Sequence, residues 1–230
     1  QESTPVHVEN GALYVTTRAR LLETGCRISG RIGTVTMEEA SYFEVDSLSD
    51  WQIVEGLLAA KLRAAKGGLA GRLGKIRLVV SDVDGCLTDS GMYYGEEGDE
   101  LKKFNTRDGM GFRRLQQAGF LTGIITAEKT ALVERRAKKL GITELHQGAM
   151  DKVRVMEEIV AWNELQWDEV AYLGDDVGDV DLLRRVGVSA CPADAIPEVR
   201  ALVDLCLTAR GGEGALRELA ELVLAARDGA

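Results

Sequence analysis

The chain has 230 residues, of which 45% are hydrophobic and only 3 are proline, a composition typical of a compact α/β protein with one good-sized domain and a smaller piece. The 37 acidic and 28 basic residues give a net charge of −9, which argues against nucleic acid or an anionic membrane surface as a main partner. No apolar run reaches the roughly 18 residues of a membrane span, and the 4 cysteines form no CxxC pair, so we expect a cytoplasmic protein without a zinc site or a disulfide framework.

Residues 1–58 form the first predicted unit. The sequence predicts a helix over Thr17–Thr24, an extended run over Ile32–Met37 and a second helix from about Asp50 to Ala65. These elements offer too few apolar strands to enclose a core. Because the chain also begins at Gln1 without a methionine, we expect this unit to be the tail of a larger domain.

The stretch VENGALYVTT, followed by EVDSLSDW, resembles the C-terminal part of the acylneuraminate (sialic acid) cytidylyltransferases. The resemblance implies an NGA-like strand and then a DxD motif that helps to hold Mg²⁺. The matching positions are Glu44 and Asp46, the first being Glu where that family has Asp. The family's glycine- and basic-rich nucleotide loop is absent from this sequence, so we expect no CTP binding by this unit alone and interpret the chain as a piece of a bifunctional protein.

Residues 59–74 are rich in glycine, alanine and basic residues, which predicts a helix end that runs into a linker. From Lys75 onward, apolar runs alternate with helical stretches. The apolar runs end at Asp82, Thr126, His146, Asp175, Cys191 and Thr208, and the helical stretches cover 108–118, 128–140, 151–164 and 213–226. This alternation predicts an α/β domain over 75–230 with a Rossmann-like, doubly wound parallel sheet. Residues 88–106 instead predict a β-hairpin on the first loop.

Polar side chains gather where these predicted strands end. Ile76–Ser81 reads as a strand buried on both faces, and Asp82 and Asp84 follow it directly at the edge where open α/β sheets bind ligands. The other candidates are Thr126, Lys152, Asp175, Asp176 and Asp179. Several carboxylates at the mouth of a sheet repel one another unless a cation is present, and their oxygen ligands suit Mg²⁺. A phosphoryl group at such a site can be attacked in line by a carboxylate.

In this order, DVDGCLTD, IIT, DK and GDDVGD resemble the four motifs of the haloacid dehalogenase superfamily of phosphatases. The resemblance covers Lys75 to the C-terminus. It implies that Asp82 is the nucleophile and a Mg²⁺ ligand, and that Asp84 is the general acid/base and gives its backbone carbonyl to the metal. Asp175 would be the third protein ligand, with Asp176 and Asp179 behind it.

The same resemblance implies that Thr126 binds the phosphoryl oxygens and that Lys152 neutralises the phosphate and the nucleophile. Only about forty residues separate Asp84 from Thr126, and about twenty separate Lys152 from Asp175, so neither gap can hold a cap domain. This is similar to the capless subclass that hydrolyses 8- or 9-phosphates of eight- and nine-carbon keto sugar acids. The resemblance implies a homotetramer, in which hairpins join into a barrel and a neighbour's tail helps to close the site.

Within that subclass, octulosonate (KDO) 8-phosphate phosphatases typically have ITGR, whereas those acting on nonulosonate (KDN or N-acetylneuraminate) 9-phosphates have ITGEKT. The present chain has ITAEKT at 125–130, so Glu128 favours the nonulosonate group, and Lys139 matches a lysine that is paired with that glutamate in substrate binding. Arg107 and Asp108 could meet a substrate carboxylate or cap a helix. The loop 211–214 could be a lid over a neighbour's site or a helix start.

Two other classes of function compete with a phosphatase. Some animal cytidylyltransferases carry a related C-terminal domain that serves tetramer formation, so the domain could be a non-catalytic assembly module. A phospho-accepting receiver domain also uses Asp, Thr, Lys and Mg²⁺ on a similar sheet. Its acidic pair precedes the phosphorylated Asp, whereas here Asp84 and Asp175 follow Asp82, which disfavours that class. The sequence therefore predicts a Mg²⁺-dependent phosphatase for a sugar acid phosphate, most strongly a nonulosonate 9-phosphate, with KDO 8-phosphate as the alternative.

Overall fold

A computed structural model of the protein describes residues 13–37, 45–65, 68–96 and 100–228. The chain divides into two compact units, Gln1–Ala65 and Lys66–Ala230. In the described part of the chain, no helix is both long and apolar enough to cross a membrane.

The first unit contains two described helices, α1 (Arg18–Thr24) and α2 (Leu48–Ala65). Helix α1 begins where the Thr17 hydroxyl accepts a hydrogen bond from a backbone N–H of the first turn, and it ends at Gly25, whose φ of 66° allows a left-handed cap. The predicted extended run 32–37 forms no strand, and apolar side chains of the unit are exposed, among them Val15, Val35 and Trp51. That this unit is the tail of a larger domain stays a prediction.

The second unit is built on a parallel sheet. Its strands are β1 (Leu78–Ser81), β4 (Leu121–Thr126), β5 (Glu144–Gln147), β6 (Val170–Leu173), β7 (Val188–Cys191) and β8 (Leu205–Cys206), and the hairpin strands are β2 (Tyr93–Tyr94) and β3 (Glu100–Leu101). The sheet order is β5-β4-β1-β6-β7-β8, with every neighbouring pair parallel. The predicted Rossmann-like sheet and its hairpin are confirmed. Strand order reverses beside the central β1, where open α/β sheets leave a crevice for ligands.

Helices cover both faces of this sheet. They are α3 (Leu69–Leu73), α4 (Thr106–Gln117), α5 (Ala131–Leu140), α6 (Lys152–Trp162), α7 (Val180–Arg185), α8 (Pro197–Leu202) and α9 (Ala215–Asp228). One apolar cluster places Phe112 and Leu216 on one side of the sheet, and a second places Met156 and Leu182 on the other. Strand β1 is buried along its whole length, which explains why its sequence shows no alternation. Between Asp84 and Thr126 the described elements are the hairpin, α4 and β4, so these residues form no cap domain.

Helices α2 and α3 occupy much of the stretch predicted as a linker. Arg72, in α3, is buried and donates two hydrogen bonds to the Asp204 carboxylate, at 2.8 and 2.9 Å, and one to the carbonyl oxygen of Gly187 at 3.1 Å. Ser189 donates to the same carboxylate from its backbone N–H and its hydroxyl, each at 3.1 Å. We call this group the Arg72–Asp204 clamp. It fixes α3 to the beginnings of β7 and β8, at the end of the sheet opposite Asp82.

Candidate active site

Asp82 lies at the carboxyl end of β1, the central strand. Its backbone N–H donates to the carbonyl oxygen of Leu173 at 2.9 Å, so the pairing of β1 with β6 continues through Asp82. The side chain is buried, and its Oδ1 atom has no hydrogen-bond partner among the residues that the structure describes. A buried carboxylate oxygen without a partner is costly unless a cation or another donor reaches it, which marks this atom as a position for a bound group.

The ammonium group of Lys152 joins two carboxylates. Lys152 is the first residue of α6, a helix capped by the Asp151 carboxylate. Its Nζ atom lies 3.1 Å from Oδ2 of Asp82 and 2.6 Å from Oδ1 of Asp179. Burial lowers the pKa of Lys152, but the two carboxylates outweigh it and the pKa is raised above its ordinary value. Lys152 is therefore a fixed positive charge beside Asp82.

Asp179 holds the loop after β6 in place. Its Oδ1 accepts hydrogen bonds from Lys152 and from the Tyr172 hydroxyl, both at 2.6 Å. Its Oδ2 accepts the backbone N–H groups of Asp175 at 3.0 Å and Asp176 at 3.3 Å. Because both oxygens already have partners, Asp179 organises the site, while Asp82 and Asp175 retain capacity for a ligand.

Negative charge is concentrated here beyond what Lys152 balances. Burial, with repulsion from Asp179, raises the pKa of Asp82 to about 6, although Lys152 opposes the shift. Burial and repulsion from Asp82 and Asp179 raise the pKa of Asp175 to about 7. Potential ligand atoms of these three aspartates all lie within 4.8 Å of one another. Closely spaced, hard oxygen donors with raised pKa values fit a divalent cation such as Mg²⁺.

Gly85 allows the loop after β1, which carries Asp84, to approach the loop after β6, which carries Asp175. Its φ is +83°, and a Cβ atom at this position would lie 1.9 Å from Oδ2 of Asp175. The loop 211–214 packs behind it, because Gly212 donates its N–H to the carbonyl oxygen of Cys86 at 3.0 Å. A Cβ on Gly211 would lie 1.9 Å from the Gly85 carbonyl oxygen. This loop thus packs against the chain's own Gly85 turn and leads into α9, as expected of a helix start.

Asp84 faces a second group of charges. Both of its carboxylate oxygens accept hydrogen bonds from Lys102 Nζ at 2.8 Å, and the same ammonium group donates to Glu128. Lys102 follows β3, and its side chain is fully covered, whereas about a third of each acidic side chain is exposed. The structure therefore joins the predicted acid/base Asp84 to the predicted substrate-binding Glu128 through a lysine that the sequence analysis did not single out.

The remaining predicted site residues lie in different surroundings. Thr126 is buried at the end of β4, the strand that pairs directly with β1, and Asp176 is exposed on the loop after β6. Lys139 is exposed in the last turn of α5, so the observed cation partner of Glu128 is Lys102. The side chain of Arg107 is exposed at the start of α4. In the first unit, Asp46 is exposed, and Glu44 lies outside the described residues.

Asp108 caps a helix. Its carboxylate accepts a hydrogen bond from the backbone N–H of Arg217 at 3.0 Å, in the first turn of α9. Burial raises its pKa to about 6, although backbone N–H groups of this turn oppose the shift. Of the two roles considered for Asp108, the helix cap is the one found here.

Lys102 and Tyr172 lie in the site but were not among the residues predicted from the sequence. Tyr172 ends up beside Asp179 because alternate residues of β6 point to opposite faces, but a tyrosine inside an apolar run looks like an ordinary core residue. Lys102 and Lys103 stand side by side in an extended segment, where neighbouring side chains point in opposite directions. That alternation would have predicted that only one of them reaches the site.

Known proteins resemble this chain. The 3-deoxy-D-manno-octulosonate 8-phosphate phosphatase KdsC of Yersinia pestis is 42% identical over 157 residues, which are 68% of this chain and 84% of the relative. The same phosphatase from Moraxella catarrhalis, solved in complex with magnesium ion, phosphate ion and KDO, has a TM-score of 0.68 and 36% identity, covering 69% of this chain and 91% of that one. No family model matches the chain.

A structure from Legionella pneumophila, assigned to the HAD superfamily (subfamily III A) of hydrolases, has a TM-score of 0.69 and 36% identity, and the match covers 74% of this chain and 93% of that one. All three matches exceed 30% identity and cover more than two thirds of this chain and of the similar protein. The chain therefore belongs to the KdsC-type phosphatases of the haloacid dehalogenase superfamily, which are phosphoric monoester hydrolases.

Proposed function

We propose that this protein hydrolyses the phosphate monoester of a 2-keto-3-deoxy sugar acid, with Mg²⁺ as its cofactor and KDO 8-phosphate as its first candidate substrate. The observation that carries the proposal is the Asp82 carboxylate, held at the end of the central strand with one buried oxygen free of partners and Lys152 on the other. The relatives from Yersinia pestis and Moraxella catarrhalis support the choice of KDO 8-phosphate.

In the first step, the carboxylate of Asp82 attacks phosphorus, and the bond between phosphorus and the sugar oxygen breaks. Asp84 gives its proton to the departing sugar oxygen, so that the sugar acid leaves as an alcohol. The phosphoryl group is now an acyl phosphate on Asp82. Lys152 neutralises charge on the nucleophile and the phosphoryl oxygens, and Thr126 supplies a hydroxyl at the end of the neighbouring strand.

In the second step, water attacks phosphorus on the face that the sugar has left. Asp84 takes a proton from this water, the bond between phosphorus and Asp82 breaks, and inorganic phosphate is released. Asp82 is again a carboxylate and Asp84 is again protonated, so that one water is consumed in each turnover. Asp82 is suited to both steps because β1 is buried and hydrogen-bonded on both sides, which fixes its direction of approach.

Asp82 and Asp175, with the backbone carbonyl of Asp84, would hold the Mg²⁺ ion. When bound, the ion supplies positive charge to the phosphoryl oxygens and to the crowded carboxylates. Asp179 and Asp176 contribute by holding the loop that carries Asp175. The raised pKa values of Asp82 and Asp175 support this assignment, because a cation would remove the charge imbalance that raises them.

A nonulosonate 9-phosphate is the second candidate substrate, and Glu128 is the observation that favours it. Glu128 is half-buried, follows the end of β4, and shares Lys102 with Asp84, so it lies beside the proposed acid. The ITAEKT segment has this glutamate where the octulosonate enzymes have arginine. A glutamate at the sugar side of the site would bind hydroxyl or amide donors of a longer sugar acid. The homotetramer and the cytidylyltransferase-like role of residues 1–58 also remain predictions.

Phosphate release tests the proposal. The full chain is assayed with KDO 8-phosphate, KDN 9-phosphate and N-acetylneuraminate 9-phosphate, with Mg²⁺ and after its removal by a chelator. We expect Mg²⁺-dependent release that is lost in Asp82→Asn. Greater kcat/KM for KDO 8-phosphate supports the first candidate, and greater kcat/KM for a 9-phosphate supports the second. Release from none of the three would overturn the proposal and favour the assembly module.

Glu128→Arg sharpens the choice of substrate. If Glu128 selects the longer sugar acids, this variant loses kcat/KM for the 9-phosphates relative to KDO 8-phosphate. Lys129→Arg, one residue farther along, is the matched control. Equal effects of Glu128→Arg on all three substrates would show that Glu128 does not discriminate between them.

A further inference from the structure

We propose that Lys102 is a positioning residue for leaving-group protonation, because it holds the Asp84 carboxylate on the sugar side of the site and ties it to Glu128. This inference rests on the proposed function in one respect, the role of Asp84 as general acid. The evidence for it is the set of contacts that the Lys102 ammonium group makes. The roles given to Asp82, Lys152 and Asp175 do not depend on those contacts.

The ammonium group of Lys102 donates all of its hydrogen bonds to carboxylates. Two go to the two oxygens of Asp84, each at 2.8 Å, and one goes to Oε2 of Glu128. A lysine ammonium group has three N–H donors, so these contacts exhaust it. Within the described ranges, the other hydrogen bond to the Asp84 side chain is a weaker one from the Thr88 hydroxyl at 3.4 Å. Without Lys102, the orientation of the Asp84 carboxylate would depend on that distant hydroxyl.

Exposure shows why this arrangement bears on the leaving group. The Lys102 side chain is 0% exposed, whereas the side chains of Asp84 and Glu128 are 35% and 39% exposed. A molecule that enters the site therefore meets the two carboxylates while the cation stays behind them. Lys102 also offsets the repulsion between Asp84 and Glu128, which would otherwise favour a wider separation of the two acids.

The backbone explains how the lysine is placed. Lys102 follows β3, whose pairing with β2 sets the position of this end of the hairpin. The next residue, Lys103, points the other way, and its Nζ atom donates to Asp89 at 2.7 Å with a side chain that is 55% exposed. Two adjacent lysines thus make ion pairs with two different aspartates, and one of these, Asp84, belongs to the reaction. Lys103 provides a matched control on the same segment.

The test compares two aryl phosphates that differ in how much the leaving group needs a proton. The 4-nitrophenolate ion leaves readily without protonation, whereas phenolate benefits more from an acid. Neither substrate has a carboxylate that Lys102 could bind, so loss of sugar binding does not enter the comparison. The quantity measured is kcat/KM, because it reports the steps up to departure of the leaving group and is independent of the later hydrolysis of the phosphoenzyme.

For Lys102→Met we expect kcat/KM for phenyl phosphate to fall by about 10- to 100-fold, part of the range for general acid catalysis, with a loss of only a few-fold for 4-nitrophenyl phosphate. Asp84→Asn should give the same pattern with larger losses, and adding Lys102→Met to Asp84→Asn should cost little more, since both changes remove one function. Lys103→Met should leave kcat/KM unchanged for both aryl phosphates. Lys102→Arg should keep part of the phenyl phosphate activity that Lys102→Met loses.

Equal losses on both aryl phosphates, no loss, or full additivity with Asp84→Asn would each overturn the inference. If Lys102→Met does not fold, Lys102→Gln, which keeps a hydrogen-bond donor, carries the same comparison. The outcome is independent of the sugar substrate. Failure to release phosphate from the sugar acid phosphates, with aryl phosphate hydrolysis intact, would count against the proposed substrate class and leave the role of Lys102 to be judged by the aryl phosphates.

Discussion

The two ends of the sheet bury charge in different ways. At the Arg72–Asp204 clamp, one guanidinium group faces one carboxylate, and Ser189 completes the hydrogen bonds of that carboxylate. At the opposite end, the carboxylates of Asp82, Asp175 and Asp179 lie close together, and the ammonium group of Lys152 contacts two of them, Asp82 and Asp179. The first group is balanced in charge, and the second has an excess of negative charge.

The pKa values follow this difference. Burial raises the pKa of Asp204, but Arg72 and Ser189 outweigh it and the pKa is lowered. Burial raises the pKa of Asp82 and Asp175, and here the neighbouring carboxylates add to the increase. The balanced end can serve stability by itself, whereas the unbalanced end requires a cation for full stability. Because of this contrast, we assign a structural role to the Arg72–Asp204 clamp and a catalytic role to the end that carries Asp82 and Asp175.

Asp82→Asn should have the largest effect. We expect phosphate release to fall by at least about 10⁴-fold, as for the removal of a catalytic nucleophile. The same change removes one of the repelling charges, so the metal-free variant should be at least as stable as the metal-free parent. Phosphate assays and thermal unfolding measure the two effects. Loss of both activity and stability would show that Asp82 is a structural residue like Asp204.

Asp204→Ala should break the clamp and cost about 3–5 kcal/mol in the free energy of unfolding, because it leaves the buried Arg72 guanidinium without its counter-ion. Urea unfolding measures this loss, and the folded variant should keep its kcat. Asp168→Ala is the matched control, since Asp168 pairs with Lys75 on the surface and its removal should cost less than about 1 kcal/mol. Equal destabilisation by the two variants would contradict the role given to the clamp.

Gly85→Ala should weaken metal binding at the unbalanced end. The new Cβ would overlap with Oδ2 of Asp175, and the positive φ of Gly85 disfavours any other residue. We expect Mg²⁺ affinity to fall by about 10- to 100-fold, as for changes that misplace a metal ligand. Calorimetric titration with Mg²⁺ measures this. Gly178→Ala, on the Asp175 loop with open space around its Cα, should leave the affinity unchanged.

The pH dependence of stability should also differ between the two ends. Asp82 and Asp175 have folded-state pKa values of about 6 and about 7, above their ordinary value, so their protonated forms favour folding and this contribution is lost as the pH rises through 6–7. The lowered pKa of Asp204 has the opposite sign, and its contribution is lost in acid. We therefore expect the increase in Tm on adding Mg²⁺ to grow from pH 5 to pH 8. An increase that is constant over this range would contradict the charge imbalance.

The sequence predicted the parallel sheet well because residues that are adjacent in the chain mark each strand. Buried strands such as β1 and β6 appear as short apolar runs, and the acids follow them directly, so a strand end also locates Asp82 and Asp175. The predicted helix 108–118 corresponds to α4, and 151–164 to α6. The small differences at their ends come from capping residues, Asn105 and Asp151, that lie outside the apolar pattern.

Contacts between distant segments could not be predicted in the same way. Lys102 reaches Asp84 because β3 pairs with β2 and so brings the chain back to the loop that follows β1. No apolar pattern in the sequence shows where along the chain this return places a side chain. Arg72 lies in a stretch whose glycine and alanine content indicated a linker, yet its partner Asp204 is 132 residues away. Charged residues that pair across such distances need the fold before their partners can be identified.

The most direct test of the account is to identify the phosphorylated residue during turnover. The full chain is mixed with Mg²⁺ and KDO 8-phosphate, quenched in acid, digested with trypsin and examined by mass spectrometry. The account predicts one added phosphoryl group on Asp82, in the peptide between Arg77 and Lys102, and none in Asp82→Asn. Phosphate release without phosphorylation of Asp82, or with the phosphoryl group on another residue, would contradict it.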